Sequence, residues 1–366
     1  MSSFAVQVLQ LTILPHENAD VLELAKIGDY LSVVKKGEFK TGQLGVYIPE
    51  AALVPDDILE SMGLVGKLAG SSHNRVKAAR LRGILSQGLV YPVRSGLVTR
   101  KDKTLCVKIG DDVSEFLGIT KYDPPIPTAL AGEVFNAYGH TIKYDIENIK
   151  RFPEIIKDGE EVVFTEKIHG TFCIMGISPE LNHLDTLNGN VIVSSKGMSA
   201  QGLALKFNDT NKNNTYIRAF HSVASKTPEF YRDVMECTNG AIYMLGEVFG
   251  KGIQDLGYGV NTPEFRLFDI YVGLPNQGRY LDYDEKKAFA KKFGINMVPE
   301  LYRGPFSKKV MLEYTSGNTL VGDVKQIREG LVVTPVKERA ELGLGRVILK
   351  SVSDDYLLRK NATEFN

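Results

Sequence analysis

Cysteine is scarce in this chain. Cys106, Cys173 and Cys237 are the three in 366 residues, far apart and without metal-ligand spacing. That excludes a disulfide framework and a cysteine-built zinc site, and it suits a reduced setting. Long apolar runs are also missing: none approaches the ~20 residues that a helix needs to cross a bilayer. The opening Met1-Ser2-Ser3-Phe4 lacks a charged segment followed by an apolar one, so no secretory signal is expected. A cytoplasmic or otherwise intracellular protein without membrane contact is the expectation. Net charge is absent as well, since Lys+Arg and Asp+Glu both number 44. A basic surplus would have pointed to nucleic acid. Its absence excludes nothing, because a local basic groove is sufficient for binding.

What is present begins with length. A chain of 366 residues exceeds one usual core, so two domains are expected. The first part reads as β-rich. Ala5 to Leu14, Leu31 to Val34, Leu44 to Pro49, Arg75 to Gly83 and Leu89 to Val93 are short strand-like runs bounded by Gly and Pro. Lys40 to Gln43 reads as a turn, and Pro55 to Met62 has helical spacing. Together these fit a small barrel. Arg75, Lys77, Arg80 and Arg82 form a basic cluster that cannot share one face without a bulge or turn. The Pro-rich stretch Tyr122 to Pro127 suits a linker. The expected boundaries are 1–125 and 126–366. The second part mixes strands, such as Val162 to Phe164 and Val191 to Val193, with helical stretches at Asn214 to Ala224 and Asp284 to Phe293.

Chemistry gathers in the second part. Glu166-Lys167-Ile168-His169-Gly170 places a lysine at a strand end beside a glycine, where a phosphate can approach closely. An amine attacks phosphorus only when deprotonated, so such a lysine needs a lowered pKa. Alone, the run reads better as a solvated lysine at a turn. Further runs follow in order. Lys196-Gly197 closes a strand, and Gly246-Glu247 sets a carboxylate in an apolar strand. Phe265 to Asp269 carries aromatic residues, Glu329-Gly330 opens another strand, and Lys350 follows Val347-Ile348-Leu349.

This ordered set resembles motifs I, Ia, III, IIIa, IV and V of the covalent nucleotidyltransferase superfamily of ligases and capping enzymes, over roughly residues 140 to 355. His169 in the Lys-x-His-Gly motif is similar to RNA ligases, whereas DNA ligases and capping enzymes usually have Asp. Lys350 lies close to Asn366, so an OB domain after motif V is not expected. The barrel-like module instead comes first, as in the RNA ligase 5 family. Pro15 to Asp20, and Leu81 to Gly83 with Ser86 to Leu89, resemble that family's N-terminal part. One departure is clear: many relatives have a Lys-x-Lys pair in motif V, and here Ile348 and Val352 flank Lys350 at that spacing. Arg346 and Arg359 are the candidate replacements.

The resemblance implies an α+β chain: an N-terminal OB-like β-barrel, then an adenylyltransferase domain of antiparallel sheets and helices. It implies an ATP-dependent RNA ligase that forms phosphoric ester bonds and acts in RNA repair. ATP would be the AMP donor and Mg²⁺ or Mn²⁺ the metal. The partner would be RNA with nicked or single-stranded ends, or RNA–DNA hybrids, bound by a monomer. Lys167 would become lysyl-AMP, and Lys350 would bind the α-phosphate and lower the Lys167 pKa by like-charge repulsion. Glu329 and Glu247 would face the metal, with the ribose as the other target of Glu247. Phe268 would stack on adenine, with Phe265 as the fallback, and Glu166 would meet the adenine edge. Ile168, His169, Gly170 and Lys196 would line the nucleotide, and Lys150 and Arg151 would touch it or the nick. Read singly, Phe268 is equally a core aromatic, His169 a hydrogen-bonded structural histidine, and Lys150 and Arg151 a solvated pair. DNA ligation, mRNA capping and a non-catalytic nucleic-acid-binding role are the alternatives.

Overall fold

A computed structural model of the chain describes residues 4–183, 189–226, 230–238, 240–360 and 362–363. It divides into two compact units. One runs to Asp123 and includes Ile149–Pro153; the other comprises Pro124–Asn148 and the chain from Glu154 onward.

The first unit is built from short antiparallel strands. Leu44–Ile48 lies between Gln7–Gln10 and Leu89–Pro92, while Thr12–Pro15, Leu22–Ile27 and Tyr30–Lys35 form a meander. The run Ala5 to Leu14, expected as one strand, is two. It breaks at the buried Leu11, whose backbone N–H donates to the Gln43 carbonyl, so each half serves a different sheet. Asp56–Met62 is a helix that ends at Gly63 in the left-handed conformation. Its Ile58 and Leu59 pack on Val8, Val46 and Ile48. The expected strand Arg75 to Gly83 shortens to Ala79–Leu81, paired with Ile84–Ser86. Arg75 is buried, with its guanidinium 3.7 Å above the Tyr122 ring, so it does not join a continuous basic surface.

The second unit holds two five-stranded sheets among the described residues. In one, the order is Glu147–Asn148, Leu349–Val352, Gly330–Pro335, Glu161–Lys167 and Glu300–Pro305. In the other, it is Val191–Ser195, Thr171–Ile177, Ile242–Phe249, Glu264–Val272 and Arg279–Tyr280. Thr171–Ile177 is buried almost throughout because both faces of its sheet are covered. Cys173, Met175 and Ile177 join Tyr216, Ile217 and Phe220 of the helix Thr215–Ala224. Ile174, on the opposite face, joins Ile192, Tyr243 and Leu245. Asn214 caps that helix by accepting from the Tyr216 N–H. The helix Tyr283–Lys292 opens with an Asp282/Glu285 capping box and ends in Lys291 and Lys292, which complement its dipole. No described helix is long and apolar enough to cross a membrane.

Candidate active site

Lys167 is the last residue of its strand and stands directly opposite Gly330. That register sets Glu329 beside it, with Lys167 Nζ 2.7 Å from Glu329 Oε1. A Cβ on Gly330 would lie 2.1 Å from the Ser351 carbonyl oxygen, so the glycine lets Leu349–Val352 close in and brings Lys350 opposite Val332. After Lys167 the chain passes Gly170, where a Cβ would meet the Val248 carbonyl at 2.3 Å. The Gly170 N–H donates to Glu247 Oε1 at 3.1 Å. Lys167, Lys350, Lys196, Glu247, Glu166, Ile168 and Gly170 all line one pocket of the second unit. Lys196 Nζ is 3.0 Å from Asp145 Oδ1 in the same pocket.

The electrostatics of this cluster differ from expectation. Burial works to lower the Lys167 pKa, but the Glu329 and Glu247 carboxylates outweigh it, and the amine is held above its ordinary value. Like-charge repulsion instead adds to burial on Lys350, whose pKa is lowered. The net shift of Lys167 is therefore upward where a lowered value was expected, because Glu329, Glu247 and Asp145 together outweigh burial. Burial raises Glu247 to about 8, with Glu329 adding and Lys167 opposing. Glu166 is 1% exposed and also raised by burial. Its oxygens accept from the Thr319 hydroxyl and, at 2.8 Å, from the Leu320 N–H, so it anchors that loop while lining the pocket.

A bulge builds the other end of the pocket. Leu245 pairs with Asp269 and Gly246 with Leu267, which leaves Phe268 as the extra residue. Phe268, on the face opposite Phe265 and Leu267, joins Tyr144 and Phe172, with ring centroids 5.5 and 5.8 Å away. Tyr144 and Phe172 stack on each other at 5.5 Å. Phe265, the fallback choice, is in the helical core instead. Asp269, fully buried, accepts from the Tyr144 hydroxyl at 3.0 Å, from Lys286 at 3.1 Å and from Arg346. Tyr144, Phe172 and Lys286 line the pocket but were not singled out by sequence. Strand alternation offered a signal only for Phe172, which sits directly across from Glu247.

Other expected residues lie elsewhere. His169 does not line the pocket. Its Nε2 is 2.9 Å from Asp255 Oδ1, and its Nδ1 is 2.9 Å from the Tyr356 hydroxyl. Arg359 clasps Asp255 through Nε at 2.8 Å. Lys150 and Arg151 belong to the first unit, where they donate to Gln87 and Gln7 at 2.6 and 3.0 Å. Neither candidate for the missing motif V cation lines the pocket: Arg346 is engaged by Asp269 and Glu338, and Arg359 by Asp255.

Glu329 Oε2 is buried and has no hydrogen-bond partner among the described residues. An orphaned carboxylate oxygen beside Glu247 fits a hard divalent cation. No group of three or more His, Cys, Asp and Glu among the described residues could hold a metal by itself. Such an ion would therefore complete its shell with water and phosphate, as Mg²⁺ commonly does.

A family model described as RNA ligase matches residues 160–352, more than half of the chain, including Glu166, Lys167, Lys196, Glu247, Glu329 and Lys350. The chain belongs to the RNA ligase family. A second model, of an OB-fold domain, matches residues 5–93, so this family member carries an OB fold ahead of its ligase part. No curated protein matches. Among solved structures, the RNA ligase from Naegleria gruberi is similar along nearly its whole length. A mutant with AMP and Mn is 25% identical, with 96% of this chain and 98% of that one covered and a TM-score of 0.75. A mutant with ATP and Mn gives 25%, 96%, 98% and 0.74, and a complex with PPi gives 25%, 97%, 98% and 0.75.

Proposed function

We propose that this RNA ligase family member is an ATP-dependent enzyme that joins 3′-OH and 5′-phosphate RNA ends, in the restoring of broken strands. We assign residues 1–125 as its OB domain and 126–366 as its adenylyltransferase domain. The observation that carries the reading is that Lys167, 2.7 Å from Glu329, lines a pocket with two ends. One end is cationic, with Lys167, Lys196 and Lys350, and suits phosphates; the other is aromatic, with Tyr144, Phe172 and Phe268, and suits a base. Naegleria gruberi RNA ligase structures with ATP, AMP and Mn support that ligand choice.

Lys167 acts as the nucleophile. Its Nζ loses a proton and attacks the α-phosphorus, an N–P bond forms, and the P–O bond to pyrophosphate breaks. The RNA 5′-phosphate oxygen then takes the AMP from Lys167, giving an adenylylated end. Attack by the 3′-OH on that 5′-phosphorus forms the phosphodiester and releases AMP. Positioning and charge neutralisation supply most of the rate in such transfers. Lys350 and Lys196 hold phosphate charge, Phe268 stacks on the base, and Gly170 lets the backbone approach the nucleotide. Glu329 and Glu247 would hold a divalent ion, Mg²⁺ or Mn²⁺, which neutralises phosphate charge.

The test mixes protein, Mg²⁺ and α-labelled ATP, and then adds nicked RNA or nicked DNA. Wild type is expected to take up label and Lys167→Ala to take up none, with the adduct discharging on RNA. Label retained by Lys167→Ala removes the nucleophile assignment. Discharge on DNA alone removes the RNA assignment.

A further inference from the structure

Among the described residues, four lysines line the pocket, and Lys167, Lys196 and Lys350 act on one another at the cationic end. The fourth, Lys286, comes from the helix Tyr283–Lys292 and stands at the aromatic end. Its Nζ is 3.1 Å from Asp269 Oδ1, while Asp269 Oδ2 accepts from the Tyr144 hydroxyl at 3.0 Å. Tyr144 in turn stacks on Phe172 and meets Phe268.

Lys286 is 2% exposed. A buried ammonium is costly unless its three N–H donors are matched. Asp269 is its one hydrogen-bond acceptor among the described residues, and Asp269 also takes two bonds from Arg346. Two donors therefore remain for whatever fills the cavity that Lys286 lines. A purine held among these rings presents N1, N3 and N7 as edge acceptors, while its exocyclic amine is a donor that an ammonium cannot satisfy.

We propose that Lys286 reads the base of the bound nucleotide by donating from its ammonium to a ring nitrogen of adenine. This rests on the reading that the pocket binds ATP and that Lys167 takes the AMP. Asp269 is then a positioning residue that aims Lys286 and Tyr144 together.

The experiment compares ATP with 1-deaza-, 3-deaza- and 7-deaza-ATP, each lacking one ring nitrogen, in the rate of enzyme–AMP formation at subsaturating nucleotide. For wild type, one analogue is expected to be slower by on the order of 10-fold to 100-fold, the size of one lost charge-assisted hydrogen bond. Lys286→Met is expected to use that analogue and ATP at equal rates, and Lys286→Gln, which keeps a donor, to retain part of the discrimination. The proposal fails if wild type accepts all three analogues as well as ATP. It also fails if a folded Lys286→Met or Lys286→Gln discriminates as wild type does. Wild type that forms no adduct with ATP overturns the Lys167 assignment itself, which separates that failure from failure at Lys286.

Discussion

Lys167 and Glu329 show how a strand register sets chemistry at single residues. Pairing Lys167 with Gly330 places the amine and the carboxylate 2.7 Å apart. Burial alone would lower the amine's pKa; Glu329 and Glu247 reverse the sign. With no nucleotide added, Glu329→Gln removes the largest of the opposing charges and is expected to lower the apparent pKa of Lys167. The pH profile of Lys167 modification by an amine-selective reagent, followed by peptide mapping, reads this. An unchanged or raised midpoint would mean that Glu329 does not control the amine. Lys167, Glu329, Glu247 and Lys350 were singled out by the ordered set of motifs that the chain resembles, since each run alone reads equally as an ordinary strand or turn. The direction of the Lys167 shift was not legible in the sequence, since it depends on distances between strands far apart in the chain.

At the scale of elements, the bulge in Glu264–Val272 decides which residues after Leu267 share a face with Phe268 and which return to the core. Phe265 and Phe268, three residues apart, fall on opposite faces by strict alternation; the bulge sets Asp269 beside Phe268 and returns Ile270 to the core face of Phe265 and Leu267. Phe268 lines the pocket and Phe265 packs among Val248, Leu267 and Ile270. Phe268→Ala is expected to weaken ATP use, raising KM with little loss of stability. Phe265→Ala is expected to cost about 3–5 kcal/mol in urea unfolding, the usual range for a buried phenylalanine. Equal stability losses in the two variants would argue that both rings are core. The sequence run reads as plain alternation because a bulge leaves no residue signature of its own here. The link between the segment around Tyr356 and the Lys167 loop, through His169 and Asp255, was equally hidden. Its members are spread over nearly two hundred positions.

For the whole second unit, Asp269 is a hub joining the sheet, the helix Tyr283–Lys292, Tyr144 and Arg346. Burial opposes its charge, but Arg346 and Lys286 outweigh burial, and its pKa is lowered. Because the folded pKa is the lower one, the group stabilises the fold above its unfolded value of ~3.9 and loses that contribution as pH falls through the folded value. Asp269→Asn leaves two buried cations short of a carboxylate and is expected to cost about 3–5 kcal/mol near neutral pH. The gap between wild type and variant should narrow on acidification below pH ~4. Denaturation midpoints across that range measure it, and a gap independent of pH would place the stabilisation in neutral hydrogen bonds.

The order of short motifs along the chain determined the family and the adenylyltransferase chemistry expected of it, because those residue types are constrained by what they do to a phosphate. Local periodicity placed many strands and helices, although Ala5 to Leu14 divides into two strands and Arg75 to Gly83 shortens to Ala79–Leu81. Tertiary structure alone decided the company each group keeps. It set Glu329 against Lys167, turned His169 away from the pocket toward Asp255 and Tyr356, and tied Arg346 and Arg359 into ion pairs. It also brought Lys286, an unremarked position in a helix, to the aromatic end of the pocket. The physical reason is the same in each case: pKa, burial and hydrogen bonding depend on contacts that chain folding creates, and spacing in sequence does not encode them.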